Sequence, residues 1–470
     1  MPYPYVFIIF AVFYERGISM KESLFAQRFS KYSFLIGFLI NFLGGTFVLF
    51  NNSFVVSLLP YIISVIFAFN AVKSLLKVVQ KQRTILHLAL FLINVTMSVL
   101  WIVLPMVYYV FFSVAIGVWS ILMATLDILT YFQYKKDEVK GRLKLFIMGT
   151  FNLIVGLLLI IQPYTHLRAV MIFLGVYFIL FSLSDLFDFL DEVVPNRTIN
   201  KIKSSVRITL PSIVTAFMPH KLLRMLNSEL EVIEEEKEDA LLHQMKPMAT
   251  KEDVNMEVFI HVTNTFPSFI GHIDIAFDGY VMSFGNYDET SYKLHGVFGD
   301  GVLEIVKREP YLDFCIAYSK KTIFGFGICL TPKQKQRVYE KRDEILSMCE
   351  PWKPIAEKLR YDMFWRTKDF TDYASEVYKA TKGSFYKFKK GSKFRSYFTM
   401  STNCAKLASE FIGAIGFDNM NFNGVITPGT YYDYFNREYS KEHSNVITRD
   451  VYNKKNIKYK IRGDDVHKMM

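Results

Sequence analysis

The chain has 470 residues, a net charge of +11 and a hydrophobic share of 51%. That length exceeds one ordinary domain, and the apolar residues crowd into the first 190 positions, which excludes a uniformly soluble protein. The basic residues flank those apolar runs, so the charge reads as a membrane bias rather than a nucleic-acid footprint; no nucleic-acid partner is expected.

Residues 1–32 form an N-terminal flank. Tyr5 to Tyr14 is apolar but short and has no basic residue before it, unlike a cleaved secretory signal. Tyr32 to Val72 and Thr84 to Leu126 then carry no charged residue. Each is about twice the roughly 20 residues that cross a bilayer core, so each predicts a helical hairpin. Leu145 to Leu167 and Ala169 to Ser184, broken at Gln162-Pro163-Tyr164, predict a third. Helices of a soluble core would show a polar stripe, and these runs do not. Residues 33–190 therefore read as an all-α transmembrane bundle of six helices in three αα-hairpin repeats, with the lipid bilayer as its partner.

Lys and Arg cluster on alternate sides. Arg16, Lys21, Arg28 and Lys31 precede the first helix. Lys73, Lys77, Lys81 and Arg83 fill one turn, and Lys135, Lys136, Lys140, Arg142 and Lys144 another; Arg197, Lys201, Lys203 and Arg207 follow the last helix. The positive-inside rule then predicts a multi-pass cell-membrane protein with both termini, and everything after the bundle, in the cytoplasm.

The bundle repeats internally. Asn41, Asn94 and Asn152 each sit in the first helix of a hairpin, followed four residues on by Gly45, Ser98 and Gly156 and eleven on by Asn52, Pro105 and Pro163. Asp127 and Asp185 recur at one offset near the ends of the second and third hairpins. Small residues allow close backbone approach and asparagine can hydrogen-bond across helices, so this pattern reads as packing glue. A transporter is disfavoured, because no intramembrane charge pair marks a route. Six short helices in three hairpins with turns such as Ile161-Gln162-Pro163 resemble the HdeD-like acid-resistance membrane protein family, a resemblance that implies architecture over residues 33–190 and little about chemistry.

Residues 191–255 read as a juxtamembrane connector. Val206 to Leu226, with Leu210-Pro211 and a basic end, is expected on the membrane surface, and the acidic run Glu229 to Asp239 as a solvated helix. Residues 256–440 then alternate in texture. Val258–Thr263, His272–Phe277, Tyr280–Phe284 and Phe314–Tyr318 predict strands, and Thr331–Cys349 and Cys404–Ile415 predict helices. This is a cytoplasmic α+β domain, with residues 441–470 as a polar tail.

Two segments carry chemistry. Asp278-Gly279 between alternating runs predicts a two-residue hairpin that pairs Phe277 with Tyr280, and so Asp274 with Ser283. His272, Asp274 and Ser283 then share one face, and Ile273, Ile275 and Phe284 the other. In Ser401-Thr402-Asn403-Cys404, Thr402 or Asn403 caps a helix whose first turn holds Cys404, where the helix dipole favours the thiolate. A histidine strand followed more than a hundred residues later by an Asn-Cys helix start resembles the permuted papain-like fold of NlpC-type amidases and lecithin-retinol-acyltransferase-like proteins. Ile426-Thr427-Pro428-Gly429 is similar to the tail of such domains. The resemblance covers residues 258–435 and implies Cys404 as nucleophile and His272 as general base. It also implies a third polar residue that orients the histidine from the following strand. Ser283 stands there, with Asn286 (the alternative orienter) and Asp288 just beyond, and Asp274 is a further candidate on the histidine's own strand.

Cys315, Cys329 and Cys349 lack CxxC spacing, which speaks against a metal site, and no cofactor is implied. In a reducing cytoplasm the four cysteines stay free. His261 and His295 read as incidental. The run from Tyr386 to Arg395 offers Lys387, Lys389, Lys390, Lys393 and Arg395 to anionic lipid headgroups, or forms a solvated loop. The sequence thus points to a membrane-anchored cysteine hydrolase or acyltransferase of the papain-like, cysteine peptidase or amidase type. Its substrate, a peptide, amide or lipid, is unspecified. A non-catalytic membrane stress or scaffold protein with a degenerate cleft is the other reading.

Overall fold

The computed structural model describes residues 23–80, 84–163, 167–194, 207–209, 243–247, 249–262, 271–319, 321–359, 370–418, 420 and 426–453. The surface helix expected in Val206 to Leu226 lies outside them beyond residue 209, as do the acidic run Glu229 to Asp239 and the apolar stretch Tyr5 to Tyr14. Two compact units result. The first comprises Tyr32–Leu129 and Leu143–Phe187, and the second the described part of Met20–Lys31, Thr130–Arg142 and the described chain from Asp188 onward.

Six helices appear in the order expected: α1 Ser23–Phe50, α2 Asn52–Val79, α3 Thr84–Val103, α4 Pro105–Lys136, α5 Leu143–Ile161 and α6 Leu167–Val193. All six contain segments long and apolar enough to cross a membrane. The first unit closes as a ring of three hairpins, because each hairpin's first helix meets the preceding hairpin's second. Gly45 on α1 faces Gly175 on α6 so closely that an added Cβ would lie 2.8 Å from the Gly175 carbonyl oxygen. Gly156 on α5 faces Gly117 on α4 in the same way, again at 2.8 Å. At the third seam Ser64 on α2 and Ser98 on α3 exchange hydroxyl-to-carbonyl bonds of 2.8 and 3.0 Å. These small residues stand four and twenty-three positions after Asn41, Asn94 and Asn152, so one motif makes all three seams.

The repeated asparagines behave as glue at two seams. Asn41 Nδ2 donates to Asp185 at 3.2 Å, and Asn152 hydrogen-bonds Asp127. Serine 74 holds the matching position in the first hairpin, and Asn94 bonds back to the Leu90 carbonyl of its own helix at 2.7 Å.

The second unit is built on a nine-stranded antiparallel sheet. Its strands are β1 His243–Met245, β2 Met256–Val262, β3 His272–Phe277, β4 Tyr280–Gly285, β6 Val302–Lys307, β7 Thr322–Ile328, β8 Cys349–Trp352, β9 Ser384–Phe388 and β11 Val446–Tyr452. They lie in the order β1-β11-β7-β2-β3-β4-β6-β9-β8. A separate ribbon pairs β5 Phe298–Asp300 with β10 Ser396–Phe398. The helices are α7 Arg308–Asp313, α8 Pro332–Ser347, α9 Ile355–Lys358, α10 Tyr373–Thr381, α11 Cys404–Ala414 and α12 Pro428–Ser440. Val258, Ile260, Ile273, Ile275 and Phe284 turn to one face, where α8, α11 and α12 cover them. Phe259, Ala276, Val281 and Val306 turn to the other, against α7 and α10.

Two expectations change. Phe314–Tyr318, read as a strand, continues α7 as a π-helix, and Phe314, Cys315 and Ile316 are buried by the α7 face of the sheet. The domain also extends past 256–440 at both ends. His243–Met245 comes from the connector and Val446–Tyr452 from the polar tail, where Arg449 and Asp450 interrupt the apolar pattern that a strand would show. The basic run also has partners within the chain. Lys387 bridges Asp288 and Asp300, both at 2.6 Å, Lys393 meets Glu410 at 2.6 Å, and Lys390 meets Glu138 at 3.0 Å. Lys389 donates to the Ser347 carbonyl at 3.1 Å and Arg395 lies 3.5 Å from Asp137.

Candidate active site

The Asp278-Gly279 turn forms as the sequence requires, with φ of 58° and 77°, and pairs Phe277 with Tyr280 and Ile275 with Met282. The β3–β4 pairing ends there, short of His272 and Asp274 at the start of β3. Helix α11 packs across β3 and β4. Asn403 caps it, its side chain accepting from the Lys406 N–H at 3.1 Å while its amide donates to the Thr399 carbonyl at 2.9 Å. The capped turn carries Cys404, and its thiol is a hydrogen-bond and charge partner of the His272 ring. Residues 132 positions apart in the chain therefore meet. The Tyr397 hydroxyl also reaches Cys404, contacting both its thiol and its backbone N–H.

Three groups surround Nε2 of His272. Asp274 Oδ1 lies at 2.8 Å, Ser283 Oγ at 2.8 Å and the Tyr287 hydroxyl at 3.1 Å. Ser283 also lies 2.6 Å from Tyr287. The Asn286 amide instead donates to the Gly296 carbonyl at 2.5 Å and braces that loop. The acid beside the histidine is thus Asp274, two residues along the same strand, and Ser283 joins it from β4.

Asp274 is held from several sides. The Tyr311 hydroxyl donates to its Oδ2 at 2.9 Å, and His261 Nε2 lies 2.7 Å from the same oxygen. Burial opposes its charge, yet His272 and His261 hold the carboxyl well below the usual carboxylate range. Burial also opposes a charged His272, but Asp274 and then Cys404 outweigh it and raise the imidazole to about 10. For His261 burial wins over Asp274 and lowers it to about 4, so this ring is neutral. His261, read as incidental, is a neighbour of the acid.

One more acid sits behind. Glu304 on β6 is the register partner of Ser283 and is 0% exposed; burial, then the charge of Asp274, raises its carboxyl to about 8. Its polar neighbours include Tyr311 and Tyr287. Accessibility differs across the pair that matters most: the His272 side chain is 19% exposed, whereas Cys404 is 4% exposed and belongs to the core.

Comparison with known proteins reaches the helices only. A family model described as a short repeat of unknown function (DUF308) matches residues 92–161 and again 147–196. HdeD-like proteins belong to that family, so the bundle's resemblance is supported. The first match begins within α3 and the second within α5, which is the register of the hairpin repeat. No curated protein and no solved structure matches the chain.

Proposed function

We propose that this chain is a membrane-anchored cysteine hydrolase or acyltransferase of the permuted papain-like kind, acting on an amide or ester at the cytoplasmic face. The observation that carries the reading is the Cys404–His272 contact with the Asp274 carboxylate behind the imidazole. A buried acid, a raised histidine and a thiol on a helix's first turn form the set that nucleophilic catalysis needs.

In this reading the thiol proton passes to the His272 imidazole, whose charged form Asp274 favours, as the sulfur becomes the nucleophile. The sulfur adds to the carbonyl carbon, and the oxyanion faces the Cys404 N–H and the Tyr397 hydroxyl. The C–N or C–O bond breaks as His272 gives its proton to the leaving amine or alcohol. Water, or an acceptor amine or alcohol, then attacks the thioester carbonyl and gives a proton to His272, and the C–S bond breaks to release the acyl product and free the Cys404 sulfur. Asp274 serves as the orienter, with Ser283 and Tyr287 fixing the ring.

An acyl-thiol-reactive probe tests this. The wild-type protein is expected to form a covalent adduct at Cys404, and Cys404→Ala to lose it while keeping its thermal unfolding profile. Equal labelling of both proteins removes the catalytic assignment. The burial of Cys404 favours a second reading, a non-catalytic binding domain in which this thiol is core; absence of adduct in the wild type selects that reading.

A further inference from the structure

The place that a substrate carbonyl needs is taken by a side chain of the same domain. The Tyr397 hydroxyl oxygen accepts from the Cys404 N–H, and the same hydroxyl meets the Cys404 thiol. A carbonyl attacked by that sulfur needs the N–H for the oxygen that turns into the oxyanion. One N–H serves one well-aligned acceptor, so the hydroxyl and a carbonyl oxygen compete for it. Tyr397 and Cys404 are 7% and 4% exposed, which leaves little of the sulfur for a substrate to reach. Burial raises the Tyr397 phenol well above its ordinary value, so the hydroxyl keeps the proton that it offers to sulfur.

The strap that carries Tyr397 stands apart from the main sheet. Its strand β10 pairs with β5 in the separate two-stranded ribbon, and two strands alone are marginally stable. The Tyr397 ring rests on Phe284, with centroids 5.3 Å apart. Polar bonds then fasten the strap on both sides of the tyrosine. Gln133 Nε2 donates to the Ser396 carbonyl at 2.8 Å, and Ser401 Oγ lies 2.8 Å from Thr130 Oγ1. Thr130 and Gln133 lie in the stretch Thr130–Arg142, which belongs to the same unit as the sheet. Neutral hydrogen bonds of this kind are modest in net strength, so their release is a local event and leaves the sheet intact.

We propose that the strap Ser396–Thr402 is a gate over the nucleophile, closed by Tyr397 across the Cys404 N–H and latched by Thr130 and Gln133. Substrate enters when the latch gives and the hydroxyl leaves the N–H. A carbonyl oxygen then takes that N–H, and the hydroxyl donates to the oxygen instead of to sulfur, which is its place in the acyl transfer above. What enters rests on the cysteine-hydrolase reading; latch and gate are claims about access alone.

Two measurements on the full-length protein in detergent test it, with Thr130→Val combined with Gln133→Leu to break the latch. The first follows modification by fluorescein maleimide at pH 7, cysteine by cysteine, through peptide mass spectrometry. Cys404 is expected to react at least fivefold faster in the double variant than in the wild type, while the buried Cys315 and Cys349 stay within twofold. A Cys404 rate that does not rise, or one that rises no more than those of Cys315 and Cys349, overturns the gate. The second is turnover of a water-soluble short-chain ester, for which kcat/KM should rise at least threefold. An active wild type whose kcat/KM the double variant leaves unchanged or lowers shows that the strap does not limit entry, and overturns the gate as well. If wild type and Cys404→Ala are equally inert toward the ester, the hydrolase reading fails, while the maleimide rates still decide the gate.

Discussion

Buried polar residues are handled differently in the helices and in the sheet. In the ring of hairpins the asparagines and aspartates meet as matched donors and acceptors, Asn41 with Asp185 and Asn152 with Asp127, at positions set by a repeat. In the sheet the polar layer formed by His261, His272, Asp274, Ser283 and Glu304 follows no repeat. It places two acids and two histidines in one buried space with their proton affinities pushed apart. Matched pairs fasten helices in a medium without water; mismatched affinities are what proton transfer requires. Under the proposed function, fastening belongs to the helices and chemistry to the sheet.

The largest expected effect breaks the polar layer at its centre. Asp274→Asn leaves His272 without the charge that raises it, so the alkaline limit of turnover should move from near pH 10 toward the ordinary 6.5. By analogy with other triads whose acid is neutralised, kcat/KM at pH 8 should drop by about 10³-fold or more. A pH–rate profile of the variant on a soluble ester reads both. An unmoved alkaline limb means Asp274 does not govern the histidine.

Glu304→Gln sharpens the comparison through stability. A carboxyl raised from 4.5 to about 8 on folding binds its proton more tightly in the folded state. Its contribution is therefore greatest below pH 4.5 and declines as pH rises toward 8. The glutamine variant should lack that decline, a difference on the order of a few kcal/mol across the window. Chemical unfolding of the two proteins at pH 5 and pH 8.5 measures it, and parallel losses would contradict the assignment.

Two smaller effects probe the helices. Gly45→Val drives a side chain onto the Gly175 carbonyl. Backbone cannot move aside as a side chain tip does, so the unit should lose about 1–3 kcal/mol, read as a lowered unfolding midpoint in detergent. Asn41→Ala removes one interhelical hydrogen bond and should cost about 0.6 to 1.7 kcal/mol, without changing turnover. A large loss of activity in either folded variant would blur the division between fastening and chemistry.

Local patterns in the sequence carried a great deal of this. The helices followed from uncharged runs, the β3–β4 hairpin from Asp278-Gly279, and α11 from the Asn403 cap. Half of the seam motif was also visible in Gly45, Ser98 and Gly156. Its counterparts Ser64, Gly117 and Gly175 needed the folded structure, because only packing shows which helices touch. The polar layer was harder to read. A charged residue in mid-strand suggests a solvated face, yet α7 and α10 cover the face that holds Glu304 and His261. The β7 pairings with β2 and β11 join segments far apart in the chain, which local alternation cannot foresee.

The central claim is that His272 activates Cys404, and a rate measures it directly. Burial pushes the thiols of Cys315 and Cys349 up to about 12 and raises that of Cys329 as well, which makes all three slow to alkylate. Peptide mass spectrometry after a timed iodoacetamide pulse at pH 7 then follows Cys404 by itself. Replacement of His272 by alanine is expected to slow its alkylation at least tenfold while the protein stays folded. An unchanged rate would contradict the account.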